Sequence, residues 1–385
     1  MATINGLTTK YGITSRLREH VDNAITFLSR NETPMLSLFR REPVGNSTYA
    51  WVYTELRGFT SAVTTSLVSS AAGTTETLGI TAGDGTAKFH TASATRPGVI
   101  RIGEEFLKVI GNAANTLTVV RGFSGTTPAL ISVADTLYYV GETTTEGNTA
   151  GNALIEAPTQ PNNETQIFDE VIQVSGTAEE IARRGYQYGV FSNIQHDTQI
   201  QMINLAKRAE RMIVMGVADA VASSATVPRF SKGLWDFIPS TNYTSAAGAS
   251  LSEAMLYADL KVLWDNGARP SIFMANSVQV LKIQEIWQNR IRTEVLENIG
   301  GFQVNQIANP FGGALSILPN PAVPQHEYYL IDPMYVSVAE LRPFRGDLLG
   351  RTGDKTEIQV VGEMGCKVTA PKALFRRFNL SETIS

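Results

Sequence analysis

The four histidines, His20, His90, His196 and His326, lie far apart in the chain. None belongs to the HExxH spacing with which a helix presents two imidazoles to one metal ion. Cys366 is the single cysteine, which excludes an intrachain disulfide and a multi-cysteine zinc site and fits a reducing compartment. It falls on the apolar face of a predicted strand, where cysteine behaves as a small buried hydrophobe and not as a nucleophile. Gly122-Phe123-Ser124-Gly125-Thr126 lacks the second glycine position of a nucleophile elbow and follows a hairpin, so it reads as a turn. Gly83-Asp84-Gly85-Thr86 is too short, and too embedded in β-forming sequence, to cradle phosphates. The carboxylate pairs Glu104-Glu105 and Glu179-Glu180 read as solvated charge, because neighbours diverge on a strand and sit about 100° apart on a helix. Trp51, Trp235, Trp264 and Trp287 read as core or interface anchors. No catalytic, cofactor-binding or metal-binding set emerges, and the chain is not expected to be an enzyme.

The elements that carry these residues are set by bulk properties first. With 385 residues the chain exceeds what one core usually supports, so two or three modules are expected. A hydrophobic share of 43% against 18% charged residues is that of a folded protein. The 32 basic and 36 acidic side chains give a formal charge of −4, which lacks the footprint of tight phosphate binding. Residues 1–18 contain no apolar core of signal-peptide length, and no stretch approaches the ~20 apolar residues of a membrane span. Cytoplasmic synthesis, with no membrane partner, is expected.

Residues 1–44 form a mildly basic arm, with Lys10, Arg16, Arg18, Arg30, Arg40 and Arg41 outnumbering the acids and too few apolar residues for a core. Tyr49-Ala50-Trp51-Val52-Tyr53-Thr54-Glu55-Leu56 is aromatic and β-prone, the pattern of an extended segment. From Thr60 to Gly141 the composition turns to Thr, Ser, Ala and Gly with short apolar islands, which predicts a small all-β insertion. Within it, two β-prone runs at 104–110 and 116–120 flank a five-residue Gly/Asn loop, a hairpin. A further strand is predicted at 136–140, then a Gly/Asn/Thr-rich return at 142–152.

Ser192-Asn193-Ile194-Gln195 opens a capping pattern, and Met202, Leu205/Ala206, Ala209, Met212/Ile213, Gly216 and Ala220 keep the three-to-four spacing of one helical face. Lys207, Arg208, Glu210 and Arg211 flank that stripe. A helix over 193–222 would span about 45 Å. A second helix should begin at Ser250-Leu251-Ser252-Glu253 and stop at Gly267, followed by a strand at 271–275 and a helix at 277–288. Near the end, Ile358, Val360, Met364, Cys366 and Val368 alternate with Gln359, Glu363, Lys367 and Thr369, the period of a half-buried strand. Gly362 on its apolar side indicates a bulge or a close backbone approach.

This α+β order resembles the tailed-bacteriophage major capsid fold of the Hong Kong ninety-seven type. The resemblance rests on that order together with Thr33-Pro34-Met35-Leu36-Ser37-Leu38-Phe39, Phe168-Asp169-Glu170-Val171-Ile172-Gln173-Val174-Ser175-Gly176-Thr177-Ala178 and Lys207-Arg208-Ala209-Glu210-Arg211. Ile102-Gly103-Glu104-Glu105-Phe106-Leu107-Lys108-Val109 with Asn115-Thr116-Leu117-Thr118-Val119-Val120-Arg121-Gly122 is similar to an insert found in phage structural proteins. The resemblance implies an N-terminal arm (1–44), an extended loop (45–165) containing the β insertion (60–141), a peripheral domain (166–228 and 351–385) with its spine helix at 193–222, and an axial domain (229–350). It implies a subunit that assembles into hexamers and pentamers of an icosahedral phage head around DNA, with Arg40, Arg41, Trp51 and Tyr53 as subunit-interface candidates. Weak nonspecific contact with packaged DNA, a portal, and scaffolding or decoration proteins are the partners it implies; virion is the location. A nanocompartment shell of the encapsulin type is the alternative within the same fold, and a β-rich binding protein or enzyme the alternative outside it.

Overall fold

Pro34 cannot donate a backbone hydrogen bond, and its fixed φ suits the first helical position. The computed structural model opens there with helix α1 (Pro34–Leu38). The structure describes residues 33–54, 58–68, 70–88, 92–147, 158–177, 193–221, 223–224, 226–286, 305–351 and 353–383. Most of the predicted arm, His20, His90, the Glu179-Glu180 pair, the side chain of His196 and Trp287 lie outside them. Two compact units divide the chain. One comprises Met1–Tyr49, Asn163–Leu263 and Arg269–Ser385; the other comprises Ala50–Asn162 with Trp264–Ala268.

After α1 the first unit continues through β1 (Arg40–Pro43) and β2 (Thr48–Ala50). The second unit holds β3 (Thr60–Ala62), β4 (Thr75–Gly79), a short helix α2 (Asp84–Ala87), β5 (Gly98–Ile102), β6 (Glu105–Ala113), β7 (Thr116–Val120) and β8 (Thr136–Glu142). These strands form one sheet in the order β3-β8-β5-β6-β7-β4. Alternation puts Leu78, Ile100, Ile102, Leu107, Val109, Leu117, Val119 and Leu137 on its inner face, where they pack with Val63, Ile80 and Ile131. The hairpin is tighter than its sequence suggests. The five-residue loop expected at 111–115 is not there: β6 runs to Ala113, with a register shift between Val109 and Gly111, and only Ala114 and Asn115 turn. The reason lies in Gly111 and Asn112. A Cβ on Gly111 would press on Thr118 at 3.3 Å, and the Asn112 amide bridges Ala92 N–H (2.8 Å) and Gly85 C=O (2.7 Å), so both residues fit a bulged strand.

The chain re-enters the first unit through β9 (Asn162–Glu164), which pairs with β2, and β10 (Gln166–Ser175). Helix α3 follows over Asn193–Met215. Its Leu205, Ala209, Met212 and Ile213 are buried together with Phe168 and Ile172, so the face read from the spacing is the core face. The helix stops at Met215, not at Ala222. Gly233 donates its N–H to the Gly216 carbonyl at 2.8 Å, and a Cβ on Gly216 would stand 2.5 Å from Ser231 O. A second backbone therefore caps the helix, and Val217 and Val221 beyond it are exposed. Then come α4 (Leu234–Phe237), β11 (Tyr243–Ser245), α5 (Glu253–Asp265), β12 (Ile272–Ala275), α6 (Ser277–Ile286), β13 (Asn305–Ala308), β14 (Ala314–Pro319), β15 (Tyr328–Ile331), β16 (Val336–Leu348), β17 (Lys355–Val368) and β18 (Leu374–Phe378). Ser252, not Ser250, caps α5, accepting the Met255 N–H at 3.3 Å; Gly267 ends it at φ +81°.

Two sheets organise this unit: β1-β16-β17-β10, and β11-β18-β15-β12-β14-β13. They do not follow the expected boundary at 350/351. β16 joins the sheet of β10 and β17, and β18 joins that of β12 and β15. Pairing across such sequence separations leaves no trace in local periodicity. On β17, Val360, Met364, Cys366 and Val368 are buried as the alternation requires, and Gly362 marks a close approach: a Cβ there would lie 2.3 Å from the Phe344 ring. Phe344 in turn meets Phe168 edge-on at 6.3 Å.

Candidate functional site

Four residues stand out in the sequence as interface candidates, two in each unit. Arg40 and Arg41 lie on β1, in register with Ser337 and Val338 of β16. Arg40 is exposed. Arg41 is half-exposed and pairs with Glu340 at 3.2 Å, while its second amino group reaches Leu36 O at 3.5 Å. In the other unit Trp51 is buried and donates its backbone N–H to Pro161 O at 3.2 Å; Tyr53 and Thr159 exchange backbone bonds of 3.0 and 2.8 Å. Backbone pairing thus holds the aromatic segment extended, as its β-prone composition requires.

The points where the chain leaves the first unit and returns to it are tied to one atom. Tyr49 Oη and Asn163 Nδ2 both donate to the Cys366 carbonyl, each at 2.7 Å. Asn163 also donates to Ser231 Oγ (3.1 Å) and Lys232 O (3.0 Å), and its Oδ1 accepts from Lys232 N–H at 2.9 Å. Gly365 is required here, since a Cβ would fall 2.5 Å from Tyr49 Oη. Burial raises the Tyr49 phenol far above its ordinary range and pushes the Cys366 thiol up to about 12. Cys366 is therefore an inert core residue whose backbone does the anchoring. Close by in sequence, Glu363, expected on the polar side of β17, is buried. Arg229 (2.6 Å) and Arg342 (3.0 Å) pair with it, and Thr165 Oγ1 donates at 2.7 Å. Burial of a charge is tolerable only when it is paired in this way.

Glu210 is the second correction of this kind. Read as a flanking polar residue of α3, it is buried, and its carboxylate receives the first-turn amides of α1: Met35 N at 2.8 Å and Leu36 N at 3.0 Å, together with Asn320 Nδ2 at 2.8 Å. These amides have no partner within α1, so the carboxylate acts as its N-terminal cap. Burial raises the Glu210 carboxyl to about 7, against the three hydrogen bonds that favour the anion.

In the second unit the pair Glu104-Glu105 splits as strand geometry demands, but only one member is solvated. Glu104 is exposed; Glu105 is buried, bound at both oxygens by Arg121 at 2.8 Å. Arg121 is itself wholly buried and also bonds Glu76 (2.9 Å) and Val68 O (3.0 Å). Burial pushes Glu105 up, but the bonds from Arg121, Ala129 N–H and Gly122 N–H outweigh it, and the carboxyl sits below its usual range. Nothing in the spacing reveals this cluster, because a charged residue within a strand pattern reads as outward-facing.

Neither glycine-rich stretch is an open cradle. Gly83 N–H donates to Asn115 Oδ1 (3.0 Å), Gly85 N–H to Ala114 O (3.1 Å), and Asp84 is bound by Ser61 and Lys88. Gly122–Thr126 is a turn with Gly122 and Ser124 both at positive φ. Among the described residues no three His, Cys, Asp or Glu side chains group to hold a metal ion, and no helix is long and apolar enough to cross a membrane.

The fold is that of capsid subunits. The chain superposes on the capsid of a native GTA particle with a TM-score of 0.53, covering 97% of this chain and 98% of that one at 8% identity. A chain from Mycobacterium phage Bobi superposes with a TM-score of 0.51, over 96% of this chain and 98% of that one at 10% identity. The SU10 major capsid protein family matches residues 3–381, and the chain belongs to that family. No curated protein sequence matches the chain. It is a structural protein of the phage virion, with the α+β architecture of the Hong Kong ninety-seven type.

Proposed function

We propose that the chain assembles with copies of itself into hexamers and pentamers that close an icosahedral head around the DNA genome, without catalysis. Membership of the SU10 major capsid protein family over residues 3–381 carries this reading. Function is then geometry and adhesion: each subunit buries enough surface against its neighbours, on the order of 2,000 Å² or more per interface, to resist the pressure of confined DNA. Arg40 and Arg41, both accessible on an edge strand, are suited to intersubunit ion pairs. Trp51 is already buried, so its part is to hold the extended segment in shape for Tyr53 and its neighbours to reach another subunit. The net charge of −4 suits weak, nonspecific contact with packaged DNA, since tight binding would hinder its release. A portal, and scaffolding or decoration proteins, complete the partners of such a shell, which would assemble in the host cytoplasm.

The β sheet of the second unit is read as an insertion on the extended loop, and the two sheets of the first unit as peripheral and axial domains. Particles purified from the native source, treated with nuclease and then opened, test the function. Protected double-stranded DNA of genome length is expected. Particles holding protein cargo and no DNA would replace this reading with a nanocompartment shell.

A further inference from the structure

Arg121 lies in the core of the second unit with 0% exposure, and each of its five N–H groups is engaged. Two of them hold the two oxygens of Glu105, and the others go to Glu76, to the Val68 carbonyl at 3.0 Å and to the Ala129 carbonyl. Glu105 accepts the Ala129 N–H in turn, at 3.1 Å. The ion pair thus fastens two stretches of backbone outside the sheet, one at Val68 and one at Ala129. Leu67 and Ile131 join these stretches by exchanging backbone bonds of 2.9 Å in each direction, an antiparallel ribbon. Ile131 points into the core. Alternation turns its neighbour Leu130 outward, and the register sets Leu130 opposite Val68. Both are exposed, Leu130 at 64% and Val68 at 71%, as is Val133 at 60% in the turn that follows. That turn is fixed as well: the Asp135 carboxylate accepts the Ser132 N–H at 2.7 Å, and Ala134 holds φ at +72° without being a glycine.

A buried ion pair adds little net stability over an apolar pair of similar volume, so stability alone does not account for this one. What it fixes is a ribbon that displays branched apolar side chains to solvent, against their usual preference for the interior. Residues 60–75 and 122–134, which contain the ribbon, include no Asp, Glu, Lys or Arg. A neutral apolar ribbon meets its own copy without the repulsion that a charged one would suffer, and a two-fold axis brings identical patches face to face. We propose that the Val68–Leu130 ribbon is a self-contact, in which the ribbon of one copy covers that of a second copy across a local two-fold axis. This rests on the shell reading, in which copies of the chain are each other's neighbours. Because Arg121 already fixes the ribbon, docking has little backbone left to order, and the covered apolar area contributes with little entropic offset.

The test is cross-linking of the full chain in assembled particles with a short bis-maleimide, quenched before denaturation. Cys366, the single natural cysteine, is buried, so the parent should run as a monomer on a denaturing gel. Leu130→Cys and, independently, Val68→Cys should shift the band from monomer to dimer and no further, since each chain then carries one reactive thiol. Thr86→Cys, exposed at the opposite end of β6 where Gly85 N–H bonds Ala114 O, should stay monomeric. Intact shells in which the Leu130→Cys and Val68→Cys chains both remain monomeric would overturn the self-contact and leave the shell reading standing. A parent that forms no shells would overturn both. A cross-link to a different polypeptide, or an equal dimer yield from Thr86→Cys, would also overturn the self-contact.

Discussion

Glu105 and Glu210 are both buried carboxylates, and they differ in almost every other respect. Glu105 has a cation, Arg121, only 16 residues away in the chain, and its acid strength is raised. Glu210, among the described residues, is held by neutral donors, from residues 174 and 175 positions away and another 110 away, and its acid strength is lowered. The same contrast runs through the units that hold them. In the β sheet of the second unit, β5, β6 and β7 pair as a local meander, and the buried Arg121 finds its partners Glu76 and Glu105 within it. In the first unit β1 pairs with β16, in the register Arg40↔Ser337, and β17 reaches back to β10. One unit is closed early and by its own residues; the other is complete only when both ends of the chain are present. The entropy of closing long loops weighs on the first unit and favours the second.

Removing Arg121 is the strongest way to break this contrast. Arg121→Ala leaves Glu105 buried without a partner and should cost about 3–5 kcal/mol, confined to the second unit. The double change Arg121→Met with Glu105→Leu should cost much less. Calorimetry should show one transition moving and the other standing still; a shift of every transition together would mean that the units do not unfold separately. Leu205→Ala, in the core of the first unit, should cost about 2–5 kcal/mol and move the other transition. Gly362→Ala forces the Phe344 ring aside and should cost about 1–3 kcal/mol in that same unit. Lys207→Ala, off the buried stripe of α3, should change stability by less than about 0.5 kcal/mol. Equal effects at Leu205 and Lys207 in denaturant unfolding would show that the helix face is misassigned.

What could be read from the sequence is what short spacing encodes. The stripe Leu205, Ala209, Met212, the alternation of β17, the strand at Ile272–Ala275 and the close approach at Gly362 all follow from side-chain periodicity or from the missing Cβ. The end of α3 at Met215 did not, because the stripe continues through Gly216 and Ala220 and only the crossing backbone at Gly233 stops it. The exchange of β16 and β18 between sheets was hidden for the same reason: register over hundreds of residues is a property of the assembled core. The buried charges Glu105, Glu210 and Glu363 were hidden differently. A carboxylate in a polar position of the pattern reads as solvated, and only the positions of Arg121, Met35 or Arg229 reveal that it is enclosed. Of the interface candidates, the sequence suggested the types of residue, and the structure adds that Arg40 is exposed on an edge strand while Trp51 is enclosed.

The account rests on a chain built to meet copies of itself, and electron microscopy of the purified protein tests that most directly. Closed icosahedral shells, or the hexamers and pentamers that build them, are the expected images at micromolar concentration. A uniformly monomeric protein, under every assembly condition, would contradict it.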